Sequence, residues 1–208
     1  MSPTEAANLA RLLRPQVRDE RVLAAIASIP RERFVPAEER DRAYENVALP
    51  IGSGQTISQP LVVARMLETL ELEPTDRVLD VGTGSGYHAA LLSLLVEHVW
   101  TIERHRKLTA VAERTVLELG IDNVTFIVGD GSEGWASEAP FDAINVAAAT
   151  GDSVPEALER QLADQGRLVA PVGSANQRLI LTRRVGRRLI RRQLEPVQFV
   201  PLVHGTFD

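Results

Sequence analysis

The sequence predicts a doubly wound α/β fold: a mostly parallel sheet covered on both faces by helices, with an N-terminal helical extension and a C-terminal antiparallel hairpin. Three observations carry this. From residue 77 onward, short runs rich in Val and Ile alternate with stretches of helical period. The run RVLDV leads directly into Gly82, Gly84 and Gly86, and a helical stretch follows. The 208 residues, 44% of them hydrophobic, suffice to bury one large core.

Each element has a local reason. Ser2 reads as an N-cap and Pro3 as the first helical position of a helix reaching about Arg14. Asp19 caps a second helix over 20–29, where Val22, Leu23, Ile26 and Ile29 recur at helical spacing and Pro30 stops it. The stretch 31–60 holds three prolines and two glycines, and reads as irregular chain with one short helix near 37–44. Pro60 opens a helix to about Leu70, with Ser58 near its N-cap and Val62, Val63, Met66, Leu67 and Leu70 as its apolar stripe. Strands follow at 77–81, 98–103, 124–128, 141–147 and 166–172, with helices at 86–96, 106–119 and 155–162. The last strands, within 178–196, turn at Gly186 and add an antiparallel edge.

Composition excludes several classes of function. Without cysteine there are no disulfides, thiolate metal sites or cysteine nucleophiles. His88, His98, His105 and His204 form no close-spaced ligand pair, so no metal is expected. A net charge of −5 argues against nucleic acid as the main partner. Arg183, Arg184, Arg187, Arg188, Arg191 and Arg192 are the local exception, and read better as the solvent face of the hairpin than as an RNA-binding patch. No apolar run approaches the ~20 residues that span a bilayer, and the N-terminus lacks the order of a secretory signal. The expectation is a cytoplasmic protein, with no membrane partner and a monomeric state.

The glycine turn points to a nucleotide. A dinucleotide fingerprint would place its third glycine where Tyr87 stands; here it comes one residue early, at Gly86. Asp80 precedes the turn, where a carboxylate repels a pyrophosphate but suits a cationic ligand. Together these favour S-adenosylmethionine over a nicotinamide dinucleotide. Glu103, ending the next strand about 20 residues on, stands where such folds hold the ribose hydroxyls. Asp130 follows the third strand and is expected near the adenine, whereas Asp142 begins a strand and lies at the wrong end.

Several strings, in order, resemble one family: FVP at 34–36, LPIGSGQTISQP at 49–60, LDVGTGSGY at 79–87, VGDGSEGW at 128–135, APFDAINVAAA at 139–149, GRLVAPVG at 166–173 and FVPL at 199–202. Together they resemble the protein-L-isoaspartate O-methyltransferases over about residues 28–203. GQTISQP is the most specific of them. The resemblance implies a single domain over 1–208 with a Rossmann-like class I methyltransferase core at 77–173. An extension at 1–45, an active-site loop at 46–60 and a hairpin and tail at 177–208 complete it. It implies a repair enzyme that moves a methyl group from S-adenosylmethionine to the α-carboxylate of isoaspartyl residues in proteins and peptides, leaving S-adenosylhomocysteine. The implied cofactor positions are Gln55, Thr56, Ile57, Ser58, Asp80, Gly82, Thr83, Gly84, Gly86, Glu103, Arg104, Asp130 and Gly131. Ser58 is the implied catalytic residue, and Ile57, Ser58, Gln59, Pro60, Val203 and His204 are expected to meet the substrate.

The chemistry agrees with so sparse a set, because a carboxylate with an ordinary pKa near ~4 is already anionic and needs no strong base. The stretch TGDSV after Ala149 is longer than the family pattern and Val203-His204 departs from it, so both are expected to bear on substrate choice. Two other readings are a relative that methylates ordinary aspartate in a dedicated peptide, and a non-catalytic cofactor-binding module.

Overall fold

The computed structural model describes residues 3–205, so the expected cap at Ser2 lies outside the described residues. Two helices, α1 (Pro3–Leu13) and α2 (Glu20–Ser28), open the chain. Asp19 caps α2 as expected, its carboxylate accepting from the N–H groups of Arg21 and Val22 at 2.8 and 3.4 Å. Val22, Leu23, Ala25 and Ile26 turn inward. Two short 3₁₀ turns, Arg31–Phe34 and Ala37–Arg42, follow.

The stretch expected to be irregular contains a two-stranded antiparallel ribbon, β1 (Leu49–Gly52) and β2 (Gln55–Ile57). It escapes a periodicity reading because its strands are four and three residues long. Gly52, Ser53 and Gly54 all take positive φ, which closes the ribbon tightly. Helix α3 (Pro60–Thr69) begins at its proline, but Ser58 does not cap it. The cap residue is Gln59, and the free N–H of Leu61 is taken by the Asn46 side chain at 3.0 Å.

The main sheet comprises β3 (Arg77–Val81), β4 (His98–Glu103), β5 (Val124–Val128), β6 (Phe141–Val146), β7 (Leu162–Val172), β8 (Arg178–Val185) and β9 (Arg188–Pro196). Their order is β5-β4-β3-β6-β7-β8-β9. The first five are parallel; β8 and β9 run antiparallel at the edge. Connections leave β3 toward β4 and β6 toward β7, in opposite directions, and a ligand crevice opens at such a switch point. One core layer packs Val78, Val99 and Ala143 under α1 to α4; the other packs Leu79, Val81, Ile144 and Val146 on the opposite face.

Helices α4 (Tyr87–Ser93), α5 (Arg106–Glu118) and α6 (Glu156–Arg160) join the strands. α4 is shorter than the expected 86–96, and the Asn123 amide bonds the carbonyls of Ser93, Val96 and Glu97 where it stops. α6 is also shorter than the expected 155–162. Gln161 leaves the helix to bond the Trp135 N–H and the Glu133 carbonyl, both at 2.8 Å, and β7 starts one residue later. Several hairpin arginines have specific partners: Arg191 bonds both oxygens of Glu159, and Arg183 pairs with Glu71.

Candidate active site

A cleft with about 800 Å³ of free space, its open mouth included, lies beyond the C-terminal ends of β3, β4 and β6. Its walls are the β2 segment Gln55–Ser58, the turn Gly82–Ser85, Glu103–His105, Gly131, Ala147-Ala148 and the tail Val200–Val203. Gln55–Ser58 belong to the 46–60 loop and Val200–Val203 to the C-terminal tail.

Gly82, Gly84 and Gly86 have φ of 92°, 52° and 89°, a conformation that L side chains rarely adopt. The N–H groups of Gly82 and Thr83 both reach the Ile102 carbonyl, which ties the turn to β4. Gly86 is not a cleft residue. A Cβ there would stand 3.0 Å from the Ala112 Cβ of α5, so its lack of a side chain serves helix packing. Gly131 does face the cleft, and a Cβ on it would meet Val81 at 2.6 Å.

Glu103 is oriented by the backbone: one carboxylate oxygen accepts from the Gly84 N–H and the other from the His105 N–H, each at 3.0 Å. It lines the cleft while only 7% exposed. Each oxygen keeps acceptor capacity for a diol.

The expectation for Asp80 needs correcting. β3 runs on to Val81, so Asp80 shares the face of Val78, under α1 to α4, and is fully buried. It stands in register with Thr101 of β4 and Asn145 of β6, and accepts a bond of 2.8 Å from each side chain. Thr83 lies 2.7 Å from the Thr101 hydroxyl, whose proton is committed to Asp80, so Thr83 donates and the turn is tied to this buried row. Burial pushes the Asp80 carboxyl up to about 6, against the bonds from Asn145 and Thr101 and with the charge of Glu103. Asp80 supports the turn from beneath and does not line the cleft.

Asp130 is likewise engaged elsewhere. Its carboxylate accepts from the Ser132 N–H and hydroxyl at 2.9 and 2.6 Å, and from the Gly205 N–H at 2.6 Å. Burial opposes ionisation there, but these bonds outweigh it and hold the carboxyl below its usual range. His204 bonds Ser132 at 2.9 Å and is largely exposed, so it fastens the tail beside the cleft. Gln59 and Pro60 also stand off the cleft, Pro60 buried in the first turn of α3. The loop after Ala149 pairs with the end of β7 through Thr150 and Gly151 and does not reach the cleft.

Two residues escaped the sequence reading. Arg31 is completely buried, donating to the carbonyls of Ala43 at 2.8 Å and Ser58 at 2.9 Å, with its guanidinium 5.0 Å from the centre of the Tyr87 ring. Its place next to Pro30 and before FVP was the available signal. His88 lines the cleft from α4. The glycine turn, the aligned Glu103 carboxylate and the inward imidazole together fit a nucleoside that carries an amino-acid end.

The sequence profile of the protein-L-isoaspartate(D-aspartate) O-methyltransferases matches residues 5–206. A protein-L-isoaspartate O-methyltransferase of Aliivibrio fischeri is 53% identical over 198 residues, 95% of each chain. One from Koribacter versatilis is 54% identical over 188 residues, 90% of this chain and 84% of its own. Among solved structures, a protein-L-isoaspartate O-methyltransferase superimposes with a TM-score of 0.85 at 32% identity over 93% of this chain, which spans 64% of that longer one. A Plasmodium falciparum chain assigned to the same activity, solved with S-adenosyl-L-homocysteine, gives 0.84 at 26% identity, covering 95% and 98% of the two chains. Agreement of profile, near full-length relatives and fold places this chain in the protein-L-isoaspartate(D-aspartate) O-methyltransferase family, whose methyl donor is S-adenosylmethionine.

Proposed function

We propose that this chain repairs damaged proteins and peptides by methylating the α-carboxylate of L-isoaspartyl residues, with Ser58 touching the acceptor. The observation that carries the reading is the meeting of Gln55–Ser58 with the glycine turn and Glu103 in one cleft. Bound there, S-adenosylmethionine would supply a methyl group on a sulfonium, open to in-line attack. The chain's own residues have then to bind, align and exclude water. Glu103 would accept the ribose hydroxyls, Gly82 and Gly84 would let the backbone approach, and Gln55 and Thr56 would wall the donor on the other side. The Ser58 hydroxyl donates to the acceptor carboxylate, and Ile57 and Val203 flank it. No general base is required, since the acceptor is anionic at neutral pH; positioning alone supplies ~7–11 kcal/mol in such reactions.

A backbone-level carboxylate reaches a site recessed in a cleft from an extended, flexible segment. Cytoplasmic residence is part of this reading; among the described residues no helix is long and apolar enough to cross a membrane.

Matched synthetic peptides carrying isoaspartate or aspartate, incubated with the methyl donor, test the proposal. Transfer to the isoaspartyl peptide alone is expected; transfer to the aspartyl peptide would favour the peptide-modifying reading, and transfer to neither would end both. Ser58→Ala should lower turnover at least ~10-fold while the fold persists, as loss of a bond to a charged group does.

A further inference from the structure

We propose that His88 is a ligand-binding residue whose Nε2–H holds a carboxylate at the Ser58 end of the cleft. This rests on the reading of the cleft as a methyl-donor site. Two ligands of that reaction carry a carboxylate there: the amino-acid end of the donor and the acceptor peptide.

His88 is the second residue of α4, only 6% exposed, and lines the cleft. Its Nε2 is buried and has no hydrogen-bond partner among the described residues. A buried polar atom left unpaired costs about 1–3 kcal/mol, and in a side chain that lines a cleft a bound ligand can remove that cost. Packing alone does not call for an imidazole, since the residues that follow in this buried helix are Ala89, Ala90, Leu91 and Leu92.

The surroundings select an anion. The charge of Arg31 is felt at His88, and the same guanidinium bonds the Ser58 carbonyl, so one buried cation stands behind both residues. The hydrogen bonds of Arg31 go to the carbonyls of Ala43, Val47 and Ser58 and not to a carboxylate. Burial and then Arg31 push the His88 imidazole down to about 4, so it is neutral at neutral pH. A neutral ring with its proton on Nε2 donates one bond and leaves the carboxylate its charge, which suits an anion that must stay nucleophilic or simply be anchored.

Calorimetry with S-adenosylhomocysteine and with methylthioadenosine, the same nucleoside without the amino-acid end, separates the two carboxylates. If His88 holds the donor, His88→Leu binds S-adenosylhomocysteine about 10- to 100-fold more weakly and methylthioadenosine unchanged. If it holds the acceptor, both nucleosides bind as in the wild type and the KM for an isoaspartyl peptide rises about 10-fold or more, with kcat largely kept. In either case His88→Gln, whose amide nitrogen reaches the position of Nε2, recovers most of the loss, as a packing role would not allow. Unchanged binding and KM in His88→Leu would overturn the proposal, and so would equal loss of both nucleosides. Should His88→Leu not fold, His88→Asn, whose amide is one carbon shorter, replaces it in the comparison with His88→Gln. A wild-type protein that fails to bind S-adenosylhomocysteine would instead remove the donor-site reading, and this inference with it.

Discussion

Glu103 owes its orientation to two backbone N–H groups, which fix the direction of its carboxylate in the cleft wall. A charged acceptor held this way avoids most of the ordering cost that a free glutamate would meet on binding. Glu103→Ala is therefore expected to weaken S-adenosylhomocysteine binding at least ~10-fold in calorimetry, and equal affinity would remove it as the ribose acceptor. The contrast with Asp80 is instructive. Both are acidic residues near the C-terminal end of a strand and both lie on the same sheet face, since Asp80 is in register with Thr101; Glu103 stands two residues further on, past the end of β3, where the cleft opens. Asp80 became a buried support hydrogen-bonded to Thr101 and Asn145, Glu103 a cleft wall.

Among elements, the ribbon β1–β2 has too little surface of its own to be stable, and it is anchored from outside. Arg31 supplies one anchor: its fork joins the turn after α2 to the carbonyls of Ala43 and Ser58, at either end of the ribbon's segment. Arg31→Met keeps most of the volume but strands two carbonyls, so urea denaturation should show a loss of about 2–5 kcal/mol. Arg31→Lys should recover only part of this, because an ammonium lacks the planar fork. A fully stable Arg31→Met protein would show that the ribbon is held by its apolar contacts alone.

For the molecule as a whole, two buried titratable groups oppose each other in acid. Asp80 rises from 3.8 to about 6, so the folded state takes up this proton before the unfolded chain does; its contribution is present at low pH and lost as pH rises through about 6. His88 falls from 6.5 to about 4, so its contribution is present above 6.5 and lost as pH falls toward 4. At 1.36 kcal/mol per pKa unit each arm is worth about 3 kcal/mol, and they largely cancel. Asp80→Asn removes one arm. Relative to wild type, its stability in urea titrations should drop by about 2–3 kcal/mol between pH 7 and pH 4; parallel profiles would contradict the burial argument.

What the sequence determined by itself was everything written in local period and residue type. The βα alternation from Arg77, the turn at 82–86, the Asp19 cap, the place of Glu103 at the end of β4 and the family strings around GQTISQP are all written in the chain. Only the tertiary structure decided which neighbours those residues meet. It turned Asp80 inward, set Gly86 against Ala112, fastened Asp130 to the tail, made Gln59 the cap of α3, buried Arg31 against the Ser58 carbonyl and set His88 in the cleft wall. The physical reason is that period and propensity act over a few residues, whereas burial and hydrogen-bond partners are set by segments far apart in sequence, such as Asp80 and Asn145.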